Sequence, residues 1–224
     1  MNPNNPHISL DENHVYTDSD GIIYQSVSSI LNKYKEPFDR LGIAEKVAKS
    51  KGISIEEVLE SWELSALYGT NVHKQLEGFF SDCDYGTDLI NNHINKLRLW
   101  KKQEVKFYTE VILSNRQAKI AGMADLLVEK TTGRWSIVDW KTSAKINRVA
   151  YGGKRMKGVL NHLHDCNFVH YSLQLSIYAC LLGRAIDKMT LIHIPRDRIA
   201  FNVVPCLDLR NEAEQVIDEQ EIIA

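Results

Sequence analysis

The sequence predicts an α+β protein in which helices flank a mixed β-sheet, and two observations support this fold class. Most of the chain before residue 105 is predicted to be helical, with capping residues at the ends of the helices. From Val105 the pattern changes to β-prone runs, "VKFYTEVIL", "AKIAGMADLLVEK" and "RWSIVDWKT". A helix over about residues 168–183 follows, then strands near "KMTLIHI" and "RIAFNVV", and a final helix that we expect Asp208 to cap.

The N-terminal elements are predicted from turn and cap residues. "HVYTDSDGIIYQSV" places an Asp-Gly turn between two short β-prone runs, which indicates a small hairpin. Ser26 or Ser28 is expected to cap the next helix, and a second helix ends at Gly52. Ser54 and Glu57 then form a capping box that opens a third helix.

Length and composition indicate one globular domain over residues 1–224, with a mainly helical part over 1–104 and the sheet core over 105–224. The chain has 44% hydrophobic residues and no repeat or linker. Its polar start and the absence of a long apolar run favour a cytoplasmic protein without a membrane partner. The four cysteines are scattered, which favours reduced thiols over a disulfide frame or a zinc knuckle.

The net charge of -2 gives no global attraction to nucleic acid, so such binding would need a local basic patch. One basic segment has no acidic residue between Asp139 and Asp165. A charge run alone is more often a solvated loop, and both interpretations stay open at this point. The basic residues of this segment are Lys141, Lys145, Arg148, Lys154, Arg155 and Lys157.

Two aspartates interrupt the apolar runs of the central hairpin. If "TTG" forms a three-residue loop with its glycine left-handed, Asp125 comes directly opposite Asp139. Alternation along the strands puts Lys141 on the face of Asp139, and Met123 and Leu127 on the face of Asp125. Two carboxylates and a lysine are therefore predicted to meet on one surface.

A divalent cation would explain this pair, because opposed like charges destabilise a ladder and burial raises the cost. Mg²⁺ takes oxygen ligands, so two carboxylates, a main-chain carbonyl and a phosphate make a plausible shell. Lys141 would then serve the attacking water or stabilise charge at the phosphate. The alternative is a surface ion pair between Asp139 and Lys141, which the opposed Asp125 disfavours.

Two predicted helices carry polar side chains in line. His73 and Glu77 lie four positions apart on one face, although a lone histidine on such a face is more often part of a core. In the later helix, amide and aromatic groups form a stripe that suits contact with nucleic acid, or alternatively a polar seam against another element. The residues of this stripe are Asn167, Tyr171, Gln174 and Tyr178.

These motifs, in this order, resemble those of the PD-(D/E)XK nuclease superfamily, over roughly residues 24–205. Within it the chain is similar to RecB-type exonucleases, to phage-encoded members and to the mitochondrial genome maintenance exonuclease. "QSVSSIL" is similar to the serine-rich first helix of those proteins. The motifs are H-x-x-x-E (His73, Glu77), G-x-x-D (Gly122, Asp125), D-W-K-T-S (residues 139–143) and Q-x-x-x-Y (Gln174, Tyr178).

The resemblance implies a restriction-endonuclease-like α/β/α core and a set of site residues. It implies that Mg²⁺ or Mn²⁺ is bound by His73, Asp125, Asp139 and the carbonyl of Trp140. The catalytic residues it implies are Asp125, Asp139, Lys141, Gln174, Tyr178 and Glu77, with Glu110 at an auxiliary acidic position. Some relatives hold an iron–sulfur cluster through three late cysteines, but only Cys180 and Cys206 follow Gln174 here, so we expect no cluster.

The same resemblance assigns the basic segment to DNA binding. The expected DNA contacts are Lys145, Arg148, Lys154, Arg155, Lys157, Tyr171 and Gln174. No helicase motif is present, so a helicase or recombination protein that unwinds DNA would be a separate chain. A phage-encoded member would act in the host cytoplasm.

A metal-dependent DNA exonuclease, acting on single strands or DNA ends, is the function that these observations favour. One alternative is a catalytically silent DNA-binding or assembly module, which would have no reason to keep opposed carboxylates. The other is a hydrolase of small phosphate esters, which the basic segment and the aromatic stripe disfavour.

Overall fold

A mixed β-sheet with helices on both faces forms the centre of the protein, so the predicted fold class is confirmed. The structure, a computed structural model, describes residues 7–103, 105–196 and 201–223. The strands are β1 (Ile8–Leu10), β2 (Tyr16–Asp18), β3 (Ile23–Ser26), β4 (Val105–Asn115), β5 (Ile120–Lys130), β6 (Trp135–Lys141), β7 (Ile186–His193) and β8 (Asn202–Pro205). The helices are α1 (Val27–Lys33), α2 (Arg40–Lys51), α3 (Ile55–Ser81), α4 (Ile94–Lys101), α5 (Asn167–Leu182) and α6 (Arg210–Ile223).

The predicted cap residues begin and end the N-terminal helices. The Ser26 hydroxyl accepts the Ser29 N–H at the start of α1, and α2 ends at Gly52 in the left-handed conformation, with φ of 67°. Ser54 and Glu57 form both hydrogen bonds of the predicted capping box. These local signals therefore set the boundaries of the helices without help from distant residues.

The cap predicted for the last helix lies one position from the observed one. The Leu209 carbonyl accepts the first helical hydrogen bond, from the Ala213 N–H at 2.8 Å. Asp208 precedes this residue, accepts the Arg210 N–H at 3.4 Å and pairs with the Arg210 guanidinium. Of the strand predicted near "RIAFNVV", residues 198–200 lie outside the described residues, and β8 begins at Asn202.

The central hairpin has the predicted register. Gly133 is left-handed, with φ of 76°, and the Lys130 N–H donates to the Arg134 carbonyl at 2.9 Å. β5 and β6 pair antiparallel from Glu129–Trp135 to Leu126–Val138, so Asp125 and Asp139 are the next positions of this ladder. β7 then runs parallel to β6, and β8 antiparallel to β7.

The two faces of the sheet carry separate cores. Leu127 and Ile137 are fully buried on the face covered by α1, α5 and α6. On the opposite face Leu126 and Trp140 pack against α3 and α4, and Phe80 of α3 stacks on Trp140 with ring centroids 5.8 Å apart. In the part of the chain that the structure describes, no helix is long and apolar enough to cross a bilayer.

Candidate active site

The two aspartates lie where the sheet divides. β4 borders one edge of β5 along its whole length, whereas the other edge is shared by two strands. β3 pairs there with residues 120–121, and β6 pairs with residues 126–129. Residues 122–125 therefore face a gap, in which Asp125 Oδ2 accepts the Trp140 N–H at 2.9 Å. The Asp125 carboxylate thus takes the place of the β5 carbonyl that would accept this N–H in a continuous β5–β6 ladder.

The regular alternation of side chains breaks at this position. Ala124 and Leu127 pack in the same core although they are three positions apart, as do Tyr108 and Val111 on β4. Met123 packs instead against the N-terminal strands, so the prediction that it shares a face with Leu127 is wrong. Sequence alternation alone could not reveal this break, because it depends on the conformation of the opposing strand.

Glu110 is the residue at which β4 departs from strand geometry. Its φ is 48°, in the left-handed region that is uncommon for a non-glycine residue, and the register places it opposite Asp125. Burial, and then the charges of Asp125, Glu77 and Asp139, raise its pKa to about 8. Glu110, the auxiliary acidic position that the resemblance implies, thus lies beside the predicted group, and its raised pKa favours the protonated form at neutral pH.

Asp139 and Lys141 form a buried ion pair at the end of β6. Asp139 is 2% exposed, and the Lys141 ammonium lies 2.6 Å from its Oδ2. Apart from this ion-pair contact, the buried oxygen has no hydrogen-bond partner among the described residues. Burial raises the pKa of Asp139, an effect that Lys141 opposes.

Neighbouring carboxylates favour the protonated form of Lys141. Burial alone would lower the pKa of Lys141, but the charges of Asp139 and Asp125 outweigh burial and raise it. The Tyr171 ring lies under the ammonium at 4.5 Å, a distance at which the ring face attracts a cation. Lys141 therefore occupies the position next to Asp139 that a metal ion would take.

Helix α3 brings His73 and Glu77 to the carboxylates. His73 Nδ1 lies 3.5 Å from Asp125 Oδ2, and Glu77 is close enough to raise the pKa of Glu110. One turn before His73, a Cβ atom on Gly69 would lie 2.8 Å from Thr142 Oγ1. The glycine therefore sets how closely α3 approaches the end of β6.

The glycine of G-x-x-D and the Q-x-x-x-Y helix form one packing unit. A Cβ on Gly122 would lie 2.6 Å from the Tyr178 ring and 2.9 Å from Val27 of α1. Gln174 Nε2 donates to the Tyr178 hydroxyl at 3.0 Å, and burial raises the pKa of this hydroxyl, so Tyr178 stays protonated. Gly122 thus admits the tyrosine of α5 to the gap in the sheet.

The polar stripe of α5 is in part a seam, the alternative that the sequence left open. The Asn167 amide donates to the Lys145 carbonyl at 2.8 Å and accepts the Asn147 N–H at 2.7 Å. Tyr178 is buried, whereas Tyr171 and Gln174 are partly exposed. Only these last two remain candidates for contact with DNA.

Much of the basic segment binds its own chain. Arg148 lies 4.2 Å from the Phe168 ring centroid, and Arg155 Nη1 donates to the His162 carbonyl at 2.7 Å. The Lys157 ammonium pairs with Glu36 at 3.2 Å. The remaining members, Lys145 and Lys154, line two different cavities on either side of the start of α5. Contacts with its own chain therefore order the segment, although these basic side chains stay exposed to solvent.

A cavity of about 950 Å³ lies at the candidate site and is called the catalytic cavity below; it is lined by His73, Lys141, Lys145, Tyr171 and Arg196, among others. Within the described ranges, no three His, Cys, Asp or Glu side chains stand close enough to form a finished metal site. The donor set nevertheless fits a hard cation, because it supplies two carboxylates and an imidazole, and one buried carboxylate oxygen has no hydrogen bond. Binding would require Lys141 to move away from Asp139.

We predict that Gly69→Ala destabilises the protein although alanine favours a helix by about 1 kcal/mol. The new Cβ would overlap Thr142 Oγ1, and such overpacking costs about 1–3 kcal/mol. Adding Thr142→Ala should remove the overlap and reveal the gain in helix propensity, whereas Thr142→Val should not. Urea unfolding of the single and double variants measures this, and equal effects of the two threonine variants would contradict it.

We predict a metal-dependent order of stability at the opposed carboxylates. In chelator, Asp139→Asn should be neutral or stabilising, because it removes like-charge repulsion with Asp125. A ligand at about ten times its dissociation constant stabilises a protein by about 1.4 kcal/mol, a gain open to wild type and largely closed to the variant. Lys141→Ala should keep or enlarge that gain, because it removes the competing ammonium.

Thermal melts of the three proteins in chelator and in Mg²⁺ or Mn²⁺ measure this order. Asp187→Asn is the matched control, since Asp187 forms its ion pairs with Lys130 and Arg134, outside this group of residues. A wild-type melting temperature that does not respond to either metal would refute the site, as would an equal response of Asp139→Asn.

Comparisons with known proteins identify the family of the chain. The family model for the PD-(D/E)XK nuclease superfamily matches residues 88–220, a range that includes Asp125, Asp139, Lys141, Gln174 and Tyr178. One similar solved structure, titled "Crystal structure of SSO0001", has a TM-score of 0.40 and 18% identity, over 89% of this chain and 76% of that chain. No curated protein matches the sequence. Since the family model covers more than half of its residues, the chain belongs to the PD-(D/E)XK nuclease superfamily.

Proposed function

We propose that the chain is a metal-dependent deoxyribonuclease of the RecB-like branch, acting as an exonuclease on single strands or DNA ends. The observation that carries this proposal is the buried Asp139 oxygen without a hydrogen bond, next to Lys141 and across from Asp125. Opposed, buried carboxylates cost stability, and a protein that only bound DNA would gain nothing from them. Membership of the nuclease superfamily supports the same activity.

The proposed metal ligands are His73, Asp125, Asp139 and the carbonyl of Trp140. Mg²⁺ or Mn²⁺ bound there would supply positive charge at the scissile phosphate. The orientation of Asp125 is fixed by the Trp140 N–H, so this carboxylate is held in place before any metal arrives. This pre-organisation lowers the cost of assembling the site.

Lys141 is the proposed partner of the attacking water. Once freed from Asp139, its ammonium would remain over the Tyr171 ring and could hold the water in line with the phosphorus. Gln174 hydrogen-bonds Tyr178, which packs against Gly122 of β5 and would so position the gap that holds Asp125. Glu77 and the protonated Glu110 border the group, where they could donate to or accept from the substrate phosphate and its water.

We predict that cleavage of a labelled single-stranded oligonucleotide requires Mg²⁺ or Mn²⁺ and is lowered at least about 100-fold by Asp139→Ala or Lys141→Ala. His73→Ala should lower it less, because a neutral imidazole contributes less than a carboxylate to a hard-cation site. Asp187→Asn again serves as the control that keeps full activity. Equal, complete loss in the folded His73 and Asp139 variants would contradict this ranking.

The same assay tests the mode of attack. An exonuclease should degrade linear strands and leave circular single-stranded DNA intact, and labels at the two ends would report the polarity. Cleavage of the circle would refute exonuclease action. No cleavage of any strand with either metal would favour the silent DNA-binding module, and hydrolysis of small phosphate esters alone would favour the third function.

A further inference from the structure

A second cavity, here called the flanking groove, lies on the other side of the start of α5 and has a volume of about 1100 Å³. It is bounded by the segment after α1, by α2, and by the turn at Tyr151–Gly153. The side chains that matter below are Lys35, Phe38, Lys46, Tyr151, Lys154 and His170. None of the six belongs to the proposed metal site.

The flanking groove carries positive charge that the protein does not neutralise. The side chains of Lys46 and Lys154 are exposed and form no ion pair among the described residues, and Lys35 Nζ donates only to an Asn32 amide oxygen, at 3.3 Å. Of the two acids of the groove, Glu36 pairs with Lys157 at 3.2 Å. Asp165 contacts His170 at 2.6 Å and its charge raises the pKa of Lys35, so it offsets part of the charge of that lysine and leaves Lys46 and Lys154 without an acidic partner in the part of the chain that the structure describes.

Two aromatic rings project into the solvent at this groove. Tyr151 is 94% exposed and Phe38 is 67% exposed, the highest values among the exposed aromatic residues that the structure describes. Tyr151 is followed by two left-handed glycines, Gly152 and Gly153, at which an added Cβ would touch nothing. The Phe38 ring contacts the Trp62 ring, with centroids 5.9 Å apart, and leaves its other face uncovered. Packing inside the chain does not account for the exposure of Tyr151.

The flanking groove and the catalytic cavity are neighbours. His170 lines the groove and the next residue, Tyr171, lines the catalytic cavity, so only the first turns of α5 separate the two spaces. A strand that extends from Lys141, past the Tyr171 ring and around the start of α5, would therefore enter the groove.

We propose that the flanking groove binds the part of a DNA single strand that adjoins the scissile phosphate, with Tyr151 and Phe38 stacking on unpaired bases and the lysines contacting phosphates. Every base has a π-face, so stacking on rings of this kind is independent of sequence. A duplex offers phosphates to the lysines, but its bases are already stacked and paired. The proposal rests on the proposed nuclease function and would make the same site selective for single strands.

Binding in chelator tests the groove without cleavage. Labelled oligothymidylate and a duplex of the same length are titrated with each protein, and fluorescence anisotropy is measured. Tyr151→Ala and Phe38→Ala should each weaken oligothymidylate binding by about 5- to 150-fold, the range for the loss of one stacked base, and should leave duplex binding unchanged. Tyr151→Phe keeps the ring and should bind as wild type does.

The lysines are tested by the salt dependence of the same binding. Lys46→Ala should reduce the slope of log K against log salt by about 0.7, the value for one phosphate contact on a single strand. Lys49→Ala is the matched control, because Lys49 lies exposed on the same helix and does not line the groove. An equal change in both variants would overturn the assignment of Lys46.

The outcomes separate this inference from the proposed function. If Tyr151→Ala and Phe38→Ala bind oligothymidylate as wild type does, or weaken duplex binding equally, the groove is not a single-strand site, even if the protein cleaves DNA. If binding depends on the rings but neither Mg²⁺ nor Mn²⁺ supports cleavage, the groove stands and the nuclease proposal fails.

Discussion

The burial of Asp139 across from Asp125 is the constraint on which the rest of the site depends. A buried carboxylate with a second, partly buried one beside it needs a compensating positive charge, and the Lys141 ammonium supplies it. The gap between β3 and β6 gives Asp125 its main-chain donor, and the left-handed Glu110 turns the opposing strand aside. Sheet topology, local backbone strain and charge pairing thus together determine the positions of Asp125, Asp139 and Lys141.

Two close contacts at glycines then fix the helices around that group. Gly122 brings α5 against the gap in the sheet, and Gly69 brings α3 against the end of β6. At each glycine an added Cβ atom would overlap the neighbouring residue. Both helices therefore lie closer to the sheet than a larger residue at these positions would allow. The two glycines thus set the distances of α3 and α5 from the sheet.

Sequence reasoning worked where the deciding interactions are local. The left-handed Gly133 and the capping box at Ser54 follow from short-range rules, and the register that opposes the two aspartates follows from the hairpin loop. The break in alternation at Glu110 and the engagement of Lys157 by Glu36 involve partners far away in the chain, which no short pattern encodes. For the same reason the sequence did not distinguish Tyr151, whose ring is exposed, from an ordinary loop residue.

The pairing of β3 with β5 has a consequence for how the protein folds. Gln25 and Ile120 are about 95 positions apart, so this pairing closes a long loop, whose entropy must be lost before the contact is gained. Such non-local steps tend to be slow. The gap that receives Asp125 is bounded by β3, and it therefore exists only after this step. We therefore expect the two carboxylates to stay hydrated until β3 has paired with β5, so that their repulsion opposes only a late step of folding.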